Sequence, residues 1–373
     1  MKGVLVDYSK RRIFGKACDR VRAVSGALVA VALVAALAIV VSGCGSSTSP
    51  ESSGSPGASG APSELRIGYQ LIPNGDLIVK DQGYLEAALP DTTIKWVKFD
   101  SGADVNTAII GGSIDIGLAG SSPVAAGLSQ PMNIAYKVPW IHDVIGAAES
   151  LVVKNSAGVT DIAGLAGKKV GTPFGSTAHY SLLAALELNS VDPATVKIID
   201  LQPPDILAAW QRGDIDGAYV WNPTLAELKK DGATLITSEE LATQGKLTAD
   251  LAVVTNAFSD QYPDTVQTWV DQQNKAVQLY KSDPQAAADA VGRQLNISGA
   301  DALAQMKDLI LLDASEQAGA DYLGTPDAPG KLADNLESAS QFLKSQGSVE
   351  GVPALSAFQA ALGNQWLAKA AGQ

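Results

Sequence analysis

The chain has 373 residues, 46% of them hydrophobic and 18% charged, with a formal net charge of −12. That composition is globular and long enough for two lobes with cores of their own; it excludes a disordered, collagen-like or coiled-coil protein. Two Cys and two His leave no disulfide scaffold and little material for a metal centre, and an acidic chain has no electrostatic footprint for nucleic acid.

Residues 1–43 read as an export signal. Lys2, Lys10, Arg11, Arg12, Lys16, Arg20 and Arg22 make a basic start, and Ala23 to Val41 is apolar without a charge. Val41-Ser42-Gly43-Cys44 then resembles the bacterial lipoprotein lipobox, in which the signal is cut before the Cys and the Cys is lipidated. The alternative is a transmembrane helix, since the run approaches the ~20 residues that span a bilayer. The Ser/Gly/Pro tract over 44–63 favours the lipobox, with Cys44 as anchor, because an anchored domain needs a tether with reach and no structure. Both readings place the remainder outside the cytoplasm. Removing residues 1–43 takes out seven basic and two acidic side chains, which moves the net charge from −12 to −17. An anionic ligand must then be held by local N–H groups rather than by bulk charge.

Along the remaining chain, Leu65 to Tyr69 alternates and predicts a strand. Leu77 to Ala88 predicts a helix, Thr93 to Phe99 a strand, Asp104 to Ile110 a short helix and Ile114 to Leu118 a third strand. The theme returns with Lys169 to Thr172, Ser181 to Leu188 and Lys197 to Leu201 as strand, helix and strand. Alternation at this spacing predicts an α/β fold with βαβ units and largely parallel sheets. Gly112-Ser113-Ile114-Asp115-Ile116-Gly117, followed by Pro123, is echoed by Gly213-Asp214-Ile215-Asp216-Gly217-Ala218, followed by Pro223. One copy per half fits two similar lobes. The end of the chain predicts helices over Pro263–Tyr280, Pro284–Leu295, Ala300–Leu312, Lys331–Gln346 and Ala354–Ala370, placed to complete the first lobe and brace a hinge.

Three stretches carry chemistry. In Ala119-Gly120-Ser121-Ser122-Pro123, Pro at the first helical position and Ser122 as N-cap predict a helix start whose free N–H groups suit an anion. A capped helix without a ligand is the bland alternative. Ser176-Thr177-Ala178-His179-Tyr180 opens a second helix, where two hydroxyls could hold oxyanion oxygens and His179 could add a donor or be a surface residue. Two such starts would face each other at the carboxyl ends of strands, where open α/β sheets bind ligands. In Tyr219-Val220-Trp221-Asn222-Pro223, Trp221 leaves a strand to wall a pocket or face a cation. Glu149 and Asp250 end the two segments that would join the lobes, as ligand partners or as structural carboxylates. No G-x-S-x-G, H-E-x-x-H or Walker A pattern is present, and Ser176 near His179 lacks a third orienting group, so no catalytic residues are expected.

Phe99-Asp100-Ser101-Gly102-Ala103, Gly120-Ser121-Ser122-Pro123, Ser176 through Leu186, and Leu201-Gln202-Pro203-Pro204 with Ala208 through Trp221 resemble taurine-binding proteins. These are substrate-binding subunits of ABC importers in the nitrate, sulfonate and bicarbonate group. The resemblance covers nearly all of residues 64–350 and implies a two-lobed periplasmic-binding type II fold that closes on its ligand and delivers it to a permease driven by an ATPase. It implies a monomer without cofactor or metal, with lobe 1 over 64–150 and 252–373 and lobe 2 over 151–251. Carried onto this chain, Ser121, Ser122, Ser176, Thr177 and His179 surround a sulfonate. Glu149 and Asp250 are candidates for the ammonium, and Tyr69, Gln70 and Trp221 line the pocket. The chain departs from the family at Leu71-Ile72-Pro73-Asn74-Gly75, at Asp205 and at Ala252, positions that could tune ligand size towards another alkanesulfonate or small ligand.

Overall fold

Strand β1 (Glu64–Tyr69) buries Leu65 and Ile67 completely, as its alternation predicts. The computed structural model describes residues 60–372; the signal, Cys44 and most of the tether lie outside them. Among the described residues no helix is long and apolar enough to cross a membrane.

After β1 come α1 (Gly75–Gln82), α2 (Tyr84–Ala88), β2 (Thr93–Lys98), α3 (Gly102–Ile110), β3 (Ile116–Gly120), α4 (Ser121–Leu128) and β4 (Tyr136–Ile145). The chain then builds β5 (Glu149–Lys154), β6 (Lys169–Thr172), α5 (Thr177–Leu188), β7 (Lys197–Asp200), α6 (Pro203–Arg212), β8 (Gly217–Trp221), α7 (Thr224–Leu228), β9 (Gly232–Thr237) and α8 (Ser238–Ala242). It returns through β10 (Ala249–Thr255) to α9 (Asn256–Gln261), α10 (Pro263–Ser282), α11 (Pro284–Leu295), α12 (Gly299–Met306) and the two-residue β11 (Leu309–Ile310). The helices α13 (Ala314–Gln317), α14 (Leu332–Ser345), α15 (Leu355–Ala361) and α16 (Asn364–Ala370) follow.

Two large sheets result, in the orders β11-β4-β10-β3-β1-β2 and β7-β6-β8-β5-β9, beside a small antiparallel pairing of residues 324–325 with 328–329. Each has a parallel centre, because β1 pairs in parallel with β2 and β3, and β6 with β7 and β8. The expectation of largely parallel sheets is corrected beyond that centre. Strands β4, β5, β9, β10 and β11 all pair antiparallel. The chain leaves the first sheet through β4, enters the second at β5 and returns in β10, and these outgoing and returning strands oppose the βαβ units. The sequence echo is a structural one: α3–β3–α4 in one sheet matches α6–β8–α7 in the other.

Helix breaks differ from the predicted runs for local reasons. The run 77–88 is split at Gly83, whose φ of 61° caps α1 and which donates back to Lys80. The run 300–312 stops at Met306, because Leu309 and Ile310 extend β4's edge instead. The last run breaks at Leu362-Gly363, where Gly363 N–H donates to Val138 O.

Both sheets are covered on two faces, which makes two lobes. In the second, Leu151 and Val153 pack with Leu182 and Leu186 of α5, while Val152 packs on the other face with Ile206, Trp210 and Leu225. The late helices bury Trp269, Val277, Leu336 and Leu367 into the core of the first. The lobes touch at Gly120, where a Cβ would lie 2.5 Å from Thr177 Cγ2. Gly120→Ala is therefore expected to push α5 away from β3. Hydrogen–deuterium exchange should quicken in the first turn of α5 and stay unchanged in β1; unchanged exchange in both would show that the contact yields without moving the lobe.

Candidate functional site

Between the sheets lies a cavity at the carboxyl ends of β1, β3 and β8. Three helix starts reach it: α3 through Gly102, α4 through Gly120 and Pro123, and α5 through Ser176 and Thr177. Each exposes first-turn N–H groups and the positive end of a helix dipole. The α4 start differs from the sequence reading. Gly120, not Ser122, is its N-cap, and no side chain caps it, because the helix begins directly where β3 ends. Ser121 Oγ instead accepts from Ala249 N–H at 3.2 Å and so ties the turn to β10.

At α5, Ser176 is the N-cap. Its Oγ accepts from His179 N–H at 3.1 Å and donates to Pro173 O at 2.6 Å. Thr177 Oγ1 donates to Glu149 Oε2 at 2.6 Å. Both hydroxyl protons are thus committed within the protein, and the backbone N–H groups of the turn are what α5 offers an anion.

Two acids sit against these helix starts, Glu149 at Thr177 of α5 and Asp250 beside Gly120 of α4. Glu149, the first residue of β5, is fully buried opposite Trp221. It also accepts from Ser238 Oγ at 2.9 Å and Ser181 Oγ at 3.4 Å. Burial pushes its carboxyl up to about 7 against the pull of those three hydroxyl donors. Asp250 sits in β10 between Gly120 of β3 and Asp143 of β4. Burial, and then the charges of Asp143 and Glu149, hold it well above the usual carboxylate range. Asp143 accepts from Asn74 Nδ2 at 3.2 Å and is pushed up to about 7 by burial, with Glu149 adding to the rise. Among the described residues no Lys or Arg pairs with any of the three, and no group of His, Cys, Asp and Glu is arranged to hold a metal ion.

Of the residues expected at the site, Gln70, Glu149, Ser176, Thr177, Trp221 and Asp250 line the cavity. Gln70 Nε2 donates to Leu118 O at 3.1 Å, which leaves its carbonyl oxygen free of that bond. Ser121 and Ser122 are buried beside the cavity and outside its lining. Tyr69 lies outside it, edge-on to Trp96 at 5.8 Å and beneath Lys80. His179 stacks on Phe174 at 4.5 Å, with Nδ1 accepting from Gly175 N–H, and its burial holds the imidazole below its usual range. The sequence reading missed the apolar wall of Ile72, Pro73, Ile145, Ala148 and Leu309, and it missed Asp143, which is buried opposite Asp250 in the strand register and outside the lining. The available signal for Asp143 was a His-Asp pair inside the otherwise apolar run Val138 to Ile145.

The model of the NMT1-like family matches residues 59–295. The taurine-binding periplasmic protein of Escherichia coli (strain K12) is 38% identical over 266 residues, which is 70% of this chain and 80% of that protein. The alkanesulfonate-binding protein SsuA of Xanthomonas axonopodis pv. citri, solved with MOPS, superposes with a TM-score of 0.66 at 21% identity. The match covers 81% of this chain and 99% of that one. The desulfurization enzyme DSZB shares the fold, with a TM-score of 0.59 at 16% identity over 83% of this chain and 99% of that one. The chain belongs to the NMT1-like family and has the two-lobed fold of periplasmic binding proteins.

Proposed function

We propose that this protein captures taurine between its lobes, outside the cytoplasm, and delivers it to the permease and ATPase of an ABC importer. The observation that carries the reading is a pair of buried carboxylates, Glu149 and Asp250, with no Lys or Arg paired to them among the described residues, lining a cavity that three helix N-termini also reach. Taurine is a short zwitterion with a permanent sulfonate. Its anion suits the starts of α3, α4 and α5, its ammonium suits Glu149 and Asp250, and its two methylenes suit the apolar wall. Trp221 and Gln70 complete the lining. The 38% identical relative is named for the same ligand.

Capture rather than turnover fits the site's hydrogen bonds. Ser176 bonds to the backbone of Pro173 and His179, not to the His179 imidazole, so no nucleophile stands beside a base there. In this reading lobe 1 comprises about 64–150 and 252–373 and lobe 2 about 151–251, with the crossings shifted so that Glu149 opens the second lobe's sheet and Asp250 lies in the first lobe's. Cys44 carries the lipid, and residues 44–63 tether a monomeric domain to the membrane. Another alkanesulfonate is the alternative ligand, favoured by the apolar wall but opposed by the carboxylates. A ligand without an amine leaves them buried and unpaired, at a cost on the order of 1–3 kcal/mol.

Calorimetry with taurine and ethanesulfonate tests this. Taurine should bind the wild type, and Glu149→Gln should weaken taurine about tenfold more than ethanesulfonate, a difference of about 1.4 kcal/mol. Equal losses for both ligands would remove Glu149 from the amine role.

The empty protein carries a pH signature of the same cluster. The carboxyl pKa values of Glu149 and Asp143 are raised to about 7 in the folded state, from 4.5 and 3.8. Between the unfolded and folded values the native state binds more protons than the unfolded chain, so this contribution to stability falls as pH rises from about 4 to about 7. The melting temperature of the empty protein should drop across that window. Glu149→Gln should flatten the drop and saturating taurine should oppose it; a flat profile in the wild type would mean that the cluster is neutralised in some other way.

A further inference from the structure

Strand β4 carries an irregularity at the edge of the site. It pairs Ile141 with Leu251 and Asp143 with Asp250, so three residues of β4 oppose two of β10 and His142 is the extra one. A bulge of this kind re-aims side chains. His142 is taken up by Trp269, edge-on at 5.8 Å, and by Asp76 at 3.7 Å. Asp143 is left opposite Asp250 in the register, and each feels the charge of Glu149 as well. Asn74 Nδ2 donates to Asp143 Oδ2, while Oδ1 is buried with no protein partner.

Nothing around this pair supplies positive charge. Strand β10 presents Asp250, and Glu149 of β5 acts on both members. Behind Asn74 lies Asp76, bonded to Gln273 of α10 at 2.6 Å. His142 is pushed down to about 3 by burial and stays neutral. Strand β11 places Leu309 and Ile310 against Ile145 and Val144. Helices α9, α15 and α16 meet β4 near its other end, around Ala135, Val138 and Pro139. Two carboxylates in one dry site cannot both ionise freely, and such a pair titrates as a unit.

We propose that Asp143 is a positioning residue for the cationic end of the ligand: in the empty protein it shares a proton with Asp250 across the paired strands, and the arriving ammonium displaces that proton to solvent. The inference rests on the reading of the buried carboxylates as an ammonium site. The ligand keeps all three of its N–H protons. A carboxyl O–H bond breaks, its electron pair stays on the carboxylate, and the proton passes to the buffer. Ligand capture is then coupled to proton release, and affinity rises with pH by up to about tenfold per unit for each proton lost.

Asp143→Asn separates this role from a structural one. The amide can still accept from Asn74, and it gives Asp250 a permanent N–H donor, which imitates the protonated acid without a proton to lose. Calorimetric titration of taurine in buffers of different ionisation enthalpy at pH 7 counts the protons. The wild type should release about 0.5–1 proton per taurine, and its affinity should rise between about pH 6 and 8. Asp143→Asn should still bind, with the release at least halved and the pH slope flattened. Equal release and equal slope in both proteins would overturn the proposal, as would wild-type binding of taurine with no release. Should the variant fail to fold, carboxyl-carbon NMR of the wild type decides: the pair must hold a proton above pH 6 and lose it when taurine binds, and two carboxylates independently ionised below pH 6 would overturn it. Ethanesulfonate separates the two levels of the argument. Binding of ethanesulfonate but not of taurine defeats the ammonium reading and this inference together, whereas taurine binding without proton release defeats the inference alone.

Discussion

Three buried carboxylates without a counter-ion set the terms for the rest of this structure. Elsewhere the fold neutralises its acids readily: Arg66 holds Asp115 through a 2.6 Å contact and a second bond from Nε, and Arg293 lies on Asp81. At the cleft it supplies only neutral donors. Glu149 receives three hydroxyls and Asp143 one amide, and both still resist ionisation because dehydration outweighs those bonds. The one imidazole nearby does not help, since the contact of His142 with Asp76 joins a neutral ring to an acid that is itself pushed up to about 7. Charge demand is therefore left open at Asp76, away from the cavity, and in the group of Asp143, Glu149 and Asp250, of which Glu149 and Asp250 line it.

The arrangement also bears on closure. Asp143 and Asp250 belong to strands of the first sheet, while Glu149 begins a strand of the second. Bringing the lobes together brings like charges together in a medium where they are poorly screened. In the proposed capture, closure of the empty protein would be opposed unless protons were taken up, and a ligand cation would remove that opposition from both sides at once. The apolar contact of Ile72, Leu118 and Leu309 with Ala148 and Trp221 acts in the other sense, since it is made across the same gap. The balance between them is what a ligand can tip.

The parallel centre of each sheet was legible in the sequence because its strands are uniform and its helices are punctuated. Ser176 and the echoed Gly-x-Ile-Asp turns at Gly112 and Gly213 mark where helices start and stop. Glu149 and Asp250 were legible as candidates because acids at the ends of apolar segments stand out. The antiparallel strands were not, since β4 breaks its own alternation with a bulge at His142-Asp143 and β11 is only two residues long. Nor could the sequence tell where a hydroxyl sends its proton. Thr177 is a sound first-turn residue by type, but its partner is Glu149, 28 positions earlier and on another element. The type of chemistry was local and readable; the pairing was tertiary.

The helix starts and the carboxylates around the cavity make different demands of a ligand. Helix N-termini accept any oxyanion, so one such terminus discriminates poorly between a carboxylate and a sulfonate. Here three of them, α3, α4 and α5, arrive at one cavity from different elements. A ligand without an anionic group would leave those turns without an acceptor, and one without a cation would leave Glu149 and Asp250 buried and unpaired. In the proposed role, oriented N–H groups take the place of the basic side chains that the lining lacks, as the charge of an acidic chain requires.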